Sequence, residues 1–145
     1  TFVIFLPLLF HALYGVYIPL TSSVTVKRYR YFRNWCYVLQ RIAGIVTLPF
    51  VIWPLYGTKL QVELTGVDPS YAMVAGIVAT PIGLTLFAIG LLCSIYHFCN
   101  GLWTFLITWG ITVSPRSQKI SGYVLFALFI AFAAFGLKAL SAFAG

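Results

Sequence analysis

The stretch Leu91–Phe105, LLCSIYHFCNGLWTF, carries one of the two histidines in the chain. The other, His11, lies in Leu6–Leu20, LPLLFHALYGVYIPL. Both stretches are apolar and unbroken by charge, and each histidine is followed four residues later by a glycine, Gly15 and Gly101. On a helix that glycine lies on the histidine's own face, one turn along. Imidazole in hydrocarbon is rare and marks function. Two imidazoles, each beside a cleared helix surface, have the form of axial ligands to a haem clamped between two transmembrane helices.

The composition around these stretches excludes a soluble domain. Apolar residues make up 61% of the chain and charged residues 8%, against about 25% charged in soluble proteins. Runs of some 20 apolar residues recur, as an integral membrane protein with several spans requires. The net charge of +7 does not point to nucleic acid, because the cations gather in loops. Lys27, Arg28, Arg30 and Arg33 occupy one, and Arg116 and Lys119 another; such loops stay cytoplasmic. Cys36, Cys93 and Cys99 are odd in number, sit in apolar surroundings and lack metal-type spacing. They read as reduced, small apolar core residues.

The expected fold class is all-α: a transmembrane bundle with four visible spans, about 1–24, 34–56, 81–113 and 120–143, and a short outer surface helix. Pro7 and Pro19 are tolerable in the first span because neighbouring groups can satisfy the freed carbonyls. Asn34 is the expected N-cap of the second, and Pro49 and Pro54 are expected to bend its far half. The polar stretch Gly57–Thr80 holds both acids, Glu63 and Asp68. Within it, Asp68-Pro69 and Thr80-Pro81 each read as an N-cap followed by proline at the first helical position. A short helix over 69–79 follows, then a long one over 81–113, roughly 50 Å in length. SPRSQK is read as a loop leading to the last span. Both basic loops fall on one side and the acids on the other, so the chain orients without conflict. His11 then lies about 14 residues, and His97 about 16, before the inner end of its helix, within one turn in depth. The chain opens on Thr1 in apolar sequence, which reads as a fragment starting inside a helix, with one upstream helix missing.

Gly83, Gly90, Ser94 and Gly101 make one low-relief stripe that also bears His97. It reads either as haem packing, with Gly15 matching it on the first helix, or as close helix–helix contact that needs no cofactor. Two histidines from separate helices leave iron no open position, which favours electron transfer over oxygen chemistry. Gln40 and Arg41 lie about two turns inside the second span. Arg41 reads as the partner of a haem propionate or as a snorkelling side chain, and the residues alone leave both open. Tyr29, Tyr31, Trp35 and Trp109 suit an interfacial belt, and Lys138 suits snorkelling at the outer end of the last helix. There is no carboxylate pair, Ser-His-Asp set, phosphate loop or charged pathway.

Tyr96–Tyr123, YHFCNGLWTFLITWGITVSPRSQKISGY, resembles the cytochrome b membrane anchor of succinate dehydrogenases and fumarate reductases, in its single-polypeptide, five-helix bacterial form. Phe5–Ile18 and Tyr31–Leu48 are similar to the same family. The resemblance implies one membrane-anchor domain over 1–145, with one N-terminal family helix absent, multi-pass in a bacterial cytoplasmic membrane. It implies a flavoprotein subunit with covalent FAD and an iron–sulfur subunit on the inner face, besides membrane lipid and no nucleic acid. Electrons would pass from succinate through FAD and the iron–sulfur clusters to haem b and then to a quinone, usually menaquinone. The anchor would be part of the enzyme without itself oxidising succinate. His11 and His97 match the two ligands of the family's inner haem. At the position where the family has a histidine for an outer haem, this chain has Pro54, so a single haem b is expected. Val26–Arg33 and Ser114–Lys119 would form the platform for the iron–sulfur subunit. The competing readings are a haem-free structural anchor, another bis-histidine cytochrome b, and a small transporter; the scarcity of intramembrane charge argues against the last.

Overall fold

A computed structural model describes residues 2–23, 26, 28–68 and 70–143. In chain order it contains α1 (Phe2–Thr21), α2 (Phe32–Leu55), a π-helical turn (Tyr56–Leu60), α3 (Gln61–Thr65), α4 (Tyr71–Val78), α5 (Pro81–Thr108) and α6 (Pro115–Ser141). Four continuous helices are long and apolar enough to cross a membrane: Phe2–Thr21, Phe32–Thr65, Pro81–Thr108 and Pro115–Ser141. The all-α fold class is as expected, with no strand among the described residues. α5 lies between α2 and α6 and packs on both, while α1 packs on α2. Large apolar side chains on the outer faces, such as Phe2, Ile82 and Phe135, are exposed to where lipid would lie. The seams close on small residues, among them buried Ala43, Cys99 and Ala133, which let helix backbones approach in the absence of a hydrophobic drive between them.

Several boundaries differ from expectation. α5 stops at Thr108, not near residue 113. Gly110 takes a left-handed φ of 69°, the Ile111 N–H donates to the Leu106 carbonyl at 2.9 Å, and the Gly110 N–H donates to Ile107 at 3.1 Å. That pair of bonds is a Schellman stop. α6 then starts at Pro115 rather than Ile120. Ser114 accepts from the Ser117 N–H at 3.0 Å, and the Ser117 hydroxyl and the Ser114 N–H lie 3.1 Å apart. SPRSQK is therefore a capping box with proline at the first helical position, and most of it is helix. α2 starts at Phe32 with Tyr31 at the cap position. Asn34 is inside the first turn, its side-chain amide donating to the Tyr29 carbonyl at 2.8 Å.

The overlong span is the second one and not the third. The helix that begins as α2 runs 34 residues to Thr65, roughly 50 Å, through Pro49 and Pro54. Proline at 54 supplies no N–H to the preceding turn, and the register slips to the wider π spacing immediately after it. The Thr58 hydroxyl donates back to the Pro54 carbonyl at 2.6 Å. The polar residues from Gly57 onward thus stay helical until Gly66, whose φ of 69° ends the run. α4 begins at Tyr71 with Ser70, not Asp68, at the cap position; Pro69 lies outside the described residues. Lys27 and the expected end of the first span at Val24 also lie outside them. The Thr80-Pro81 start holds as expected, with Thr80 Oγ1 accepting from the Gly83 N–H at 3.0 Å.

The inner ends of α2, α5 and α6 are joined through Gln118. Its backbone carbonyl accepts from Trp103 Nε1 at 2.9 Å, its side-chain oxygen accepts from Arg33 at 3.3 Å, and its amide donates to the Thr112 carbonyl at 3.0 Å. On the outer side Tyr71 stacks on Phe143 at 4.7 Å and donates to the Ala142 carbonyl at 2.6 Å. This ties α4 to the end of α6.

Candidate haem site

With the revised helix ends, His11 lies about ten residues before Thr21 and His97 about eleven before Thr108, close to 16 Å from either inner end. The two imidazole rings meet edge to face, with centroids 6.0 Å apart and planes at 74°. Metal–imidazole bonds of about 2.0 Å on opposite sides of one ion put ring centroids roughly 6 Å apart. Among the described residues no three His, Cys, Asp or Glu side chains gather for a metal ion. Two imidazoles brought together from separate helices would suit a metal carried by a macrocycle better than one held by protein side chains alone.

His97 is half-buried and fixed from the α2 side. Its Nδ1 lies 3.1 Å from the backbone carbonyl of Gln40. A carbonyl only accepts, so Nδ1 carries the proton and Nε2 keeps the lone pair that a metal needs. The Gln40 side chain donates to the His97 carbonyl at 2.9 Å and accepts from Asn100 Nδ2 at 2.8 Å. The ring lies over Gly44, where a Cβ would come within 2.8 Å of His97 Cε1. Gly44, Gln40 and Asn100 were not among the candidate site residues. The signal was present, because Gln40 and Gly44 repeat the histidine–glycine spacing of four.

The small residues named from sequence divide in two. Gly15 has nothing within 4 Å of a Cβ built on it, so the surface beside His11 is open. Gly101, Gly90 and Ser94 face α2 instead. A Cβ on Gly101 would meet Gln40 Nε2 at 3.0 Å, and one on Gly90 would overlap the Phe50 ring. Ser94 Oγ is 3.3 Å from Thr47 Oγ1 and donates to the Gly90 carbonyl at 2.8 Å. Of the two readings of this stripe, the contacts at Gly90, Ser94 and Gly101 favour helix–helix packing: α2 occupies the space their missing or small side chains leave.

Arg41 stands one turn before Gly44 on α2. Its guanidinium lies over the Tyr37 ring, 3.8 Å from the centroid, with Nη2 against the Tyr37 hydroxyl. Its Nη1 is buried and has no hydrogen-bond partner among the described residues. A charged donor left in that state calls for an anionic acceptor. An open surface beside one histidine, a free Nε2 on the other and a guanidinium with one nitrogen unsatisfied among the described residues all suit a haem with a propionate. Farther out, Phe50 and Phe87 pack edge to face at 4.9 Å, and Trp53 stands 6.3 Å from Phe87. Pro54 follows directly, with no side-chain donor to offer. The three thiols are free, two buried and Cys93 half-buried.

Residues 19–136 match the family of succinate dehydrogenase/fumarate reductase transmembrane subunits. The chain belongs to this family. It is 49% identical over 142 residues to the succinate dehydrogenase cytochrome b558 subunit of Bacillus subtilis (strain 168), a match that covers 98% of this chain and 70% of that protein. No solved structure matches it. As a transmembrane subunit of this family, with four apolar spans, the chain is a multi-pass protein of the cytoplasmic membrane and part of the enzyme's membrane anchor.

Proposed function

We propose that this subunit holds one haem b between His11 and His97 and passes electrons from an iron–sulfur partner to a membrane quinone. The observation that carries the reading is the pair of imidazoles from α1 and α5, ring centroids 6.0 Å apart, with the proton of His97 held on Nδ1 by a backbone carbonyl. A haem in this position supplies a one-electron carrier. The protein's part is to provide both axial nitrogens, to exclude a further ligand, and to offer Arg41 to a propionate. The cytochrome b name of the Bacillus subtilis relative favours haem over a bare structural anchor. Pro54 and the aromatic packing just before it favour one haem over two.

The inner end suits docking of an iron–sulfur subunit that itself joins a flavoprotein carrying FAD. Arg28, Arg30, Arg33, Arg116 and Lys119 are all exposed there or nearly so, and both acids, Glu63 and Asp68, lie on the outer side. A quinone, menaquinone by family likeness, accepts the electrons within the membrane. Reduced-minus-oxidised spectra of the purified complex test the reading. We expect a low-spin b-type signal that disappears in both His11→Ala and His97→Ala. A normal signal in either variant removes that histidine from the site.

A further inference from the structure

We propose that Gln40 is a positioning residue that registers α2 against α5 so that His97 presents Nε2 at a fixed angle with its proton kept on Nδ1. The inference rests on the haem reading above and concerns a residue that touches the ligand rather than the iron.

The contact between Gln40 and His97 is reciprocal. Each helix contributes a polar residue and, four positions on, a glycine: Gln40 and Gly44 on α2, His97 and Gly101 on α5. The His97 ring lies against Gly44, and the Gln40 amide lies against Gly101, 2.8 Å and 3.0 Å from where the respective Cβ atoms would stand. Because the helices are antiparallel, each polar residue reaches the other's glycine. The orientation of the Gln40 amide follows from its partners. The His97 carbonyl can only accept, so the nitrogen must face it, and the oxygen is left to accept from Asn100.

Two bonds thereby join the same pair of residues, one from each direction. The Gln40 carbonyl keeps a second lone pair besides the one used within α2, and that lone pair receives His97 Nδ1–H. This acceptor belongs to the backbone and persists in any variant. The side chain adds the hold on the His97 carbonyl and on Asn100, which sets the height of α5 against α2 and keeps the acceptor within 3.1 Å of Nδ1. A hydrogen bond of this kind orients a ligating imidazole and raises its basicity, and loss of such partners costs metal sites about 10–100-fold. A more basic axial imidazole favours ferric over ferrous iron. Loosening the clamp should therefore raise the midpoint potential.

The test uses the assembled complex carrying Gln40→Met, which keeps length and loses both hydrogen bonds, and Gly101→Ala, which displaces the amide without removing a polar group. Thr47→Val is the control, because it deletes the polar contact to Ser94 farther along the same seam. Haem per flavin, the midpoint potential and the low-spin electron paramagnetic resonance g values are read in each. Both test variants should keep haem and shift the potential upward by about tenfold in the ferric-to-ferrous ratio, ~59 mV for one electron, with altered g values. Thr47→Val should match the parent. If Gln40→Met does not assemble, Gly101→Ala still decides: an unchanged potential and g values there overturn the proposal. A Thr47→Val shift equal to that of the test variants also overturns it, reducing the effect to general seam packing. Absence of haem from the parent complex would instead be the failure of the haem reading itself.

Discussion

The inner and outer halves of the α2–α5 seam are built from different materials. The inner half carries Gln40, Gly44, His97, Asn100 and Gly101, with hydrogen bonds crossing between helices in both directions. The outer half carries Phe50, Phe87 and Trp53 around Gly90, and closes by ring packing. Glycine has opposite uses along this one contact. Inside, it makes room for the His97 ring and the Gln40 amide; outside, it makes room for the Phe50 ring. Gly15 on α1 represents a third use, a cleared surface facing no side chain. The difference is the ground for proposing one haem at the inner level and side-chain packing beyond it.

The strongest way to break the comparison is to delete a ligand. His11→Ala and His97→Ala should each remove the low-spin haem signal entirely, measured by difference spectroscopy, and both should weaken assembly because an emptied slot leaves its lining without contacts. Gly44→Ala comes next. Its Cβ would press on His97 Cε1, so haem content per flavin should fall several-fold although no ligand is lost. Gly90→Ala tests the outer half. The new methyl overlaps Phe50, and overpacking of this kind costs about 1–3 kcal/mol, so the thermal stability of the complex should drop while the haem spectrum keeps its shape. Gly15→Ala is the smallest effect. The methyl meets nothing within 4 Å among the described residues and gains helix propensity of up to about 1 kcal/mol, so stability should hold or rise slightly. A larger side chain in Gly15→Leu should compete with haem and lower its content, sharpening the contrast with Gly90.

A separate prediction concerns the inner rim. Arg116→Glu with Lys119→Glu should release the soluble subunits at lower salt than in the parent, read by co-purification across a salt series. Arg33 should matter less for this, since it already donates to Gln118. Unchanged co-purification would assign the exposed cations to anionic lipid headgroups instead.

The number of spans, and the near-equal distance of both histidines from their helix ends, were legible because twenty-residue apolar runs are a one-dimensional signal. Thr80-Pro81 was read as a helix start, yet Ser114-Pro115 carries the same chemistry and was passed over, its cations suggesting a loop. Gly110 was hidden by apolar neighbours on both sides that continue the pattern past the stop. Gly57–Thr65 was taken for loop on polarity, although no residue there breaks a helix before Gly66. The site was half legible. Spacing puts a glycine beside each histidine on the same helix face, but which helix covers that face is a tertiary fact. So Gly101 and Gly15, identical in local pattern, took opposite roles, and Gln40 gained its place only when α2 was set antiparallel to α5.

The proposed haem is single, lies at the inner level and is held by the two histidines of the chain. A pyridine haemochrome assay on the purified complex, normalised to covalent flavin and paired with a redox titration, tests it most directly. One haem per flavin and one titration wave are predicted. Two haems per flavin, in two waves, would contradict it and require an outer ligand other than Pro54.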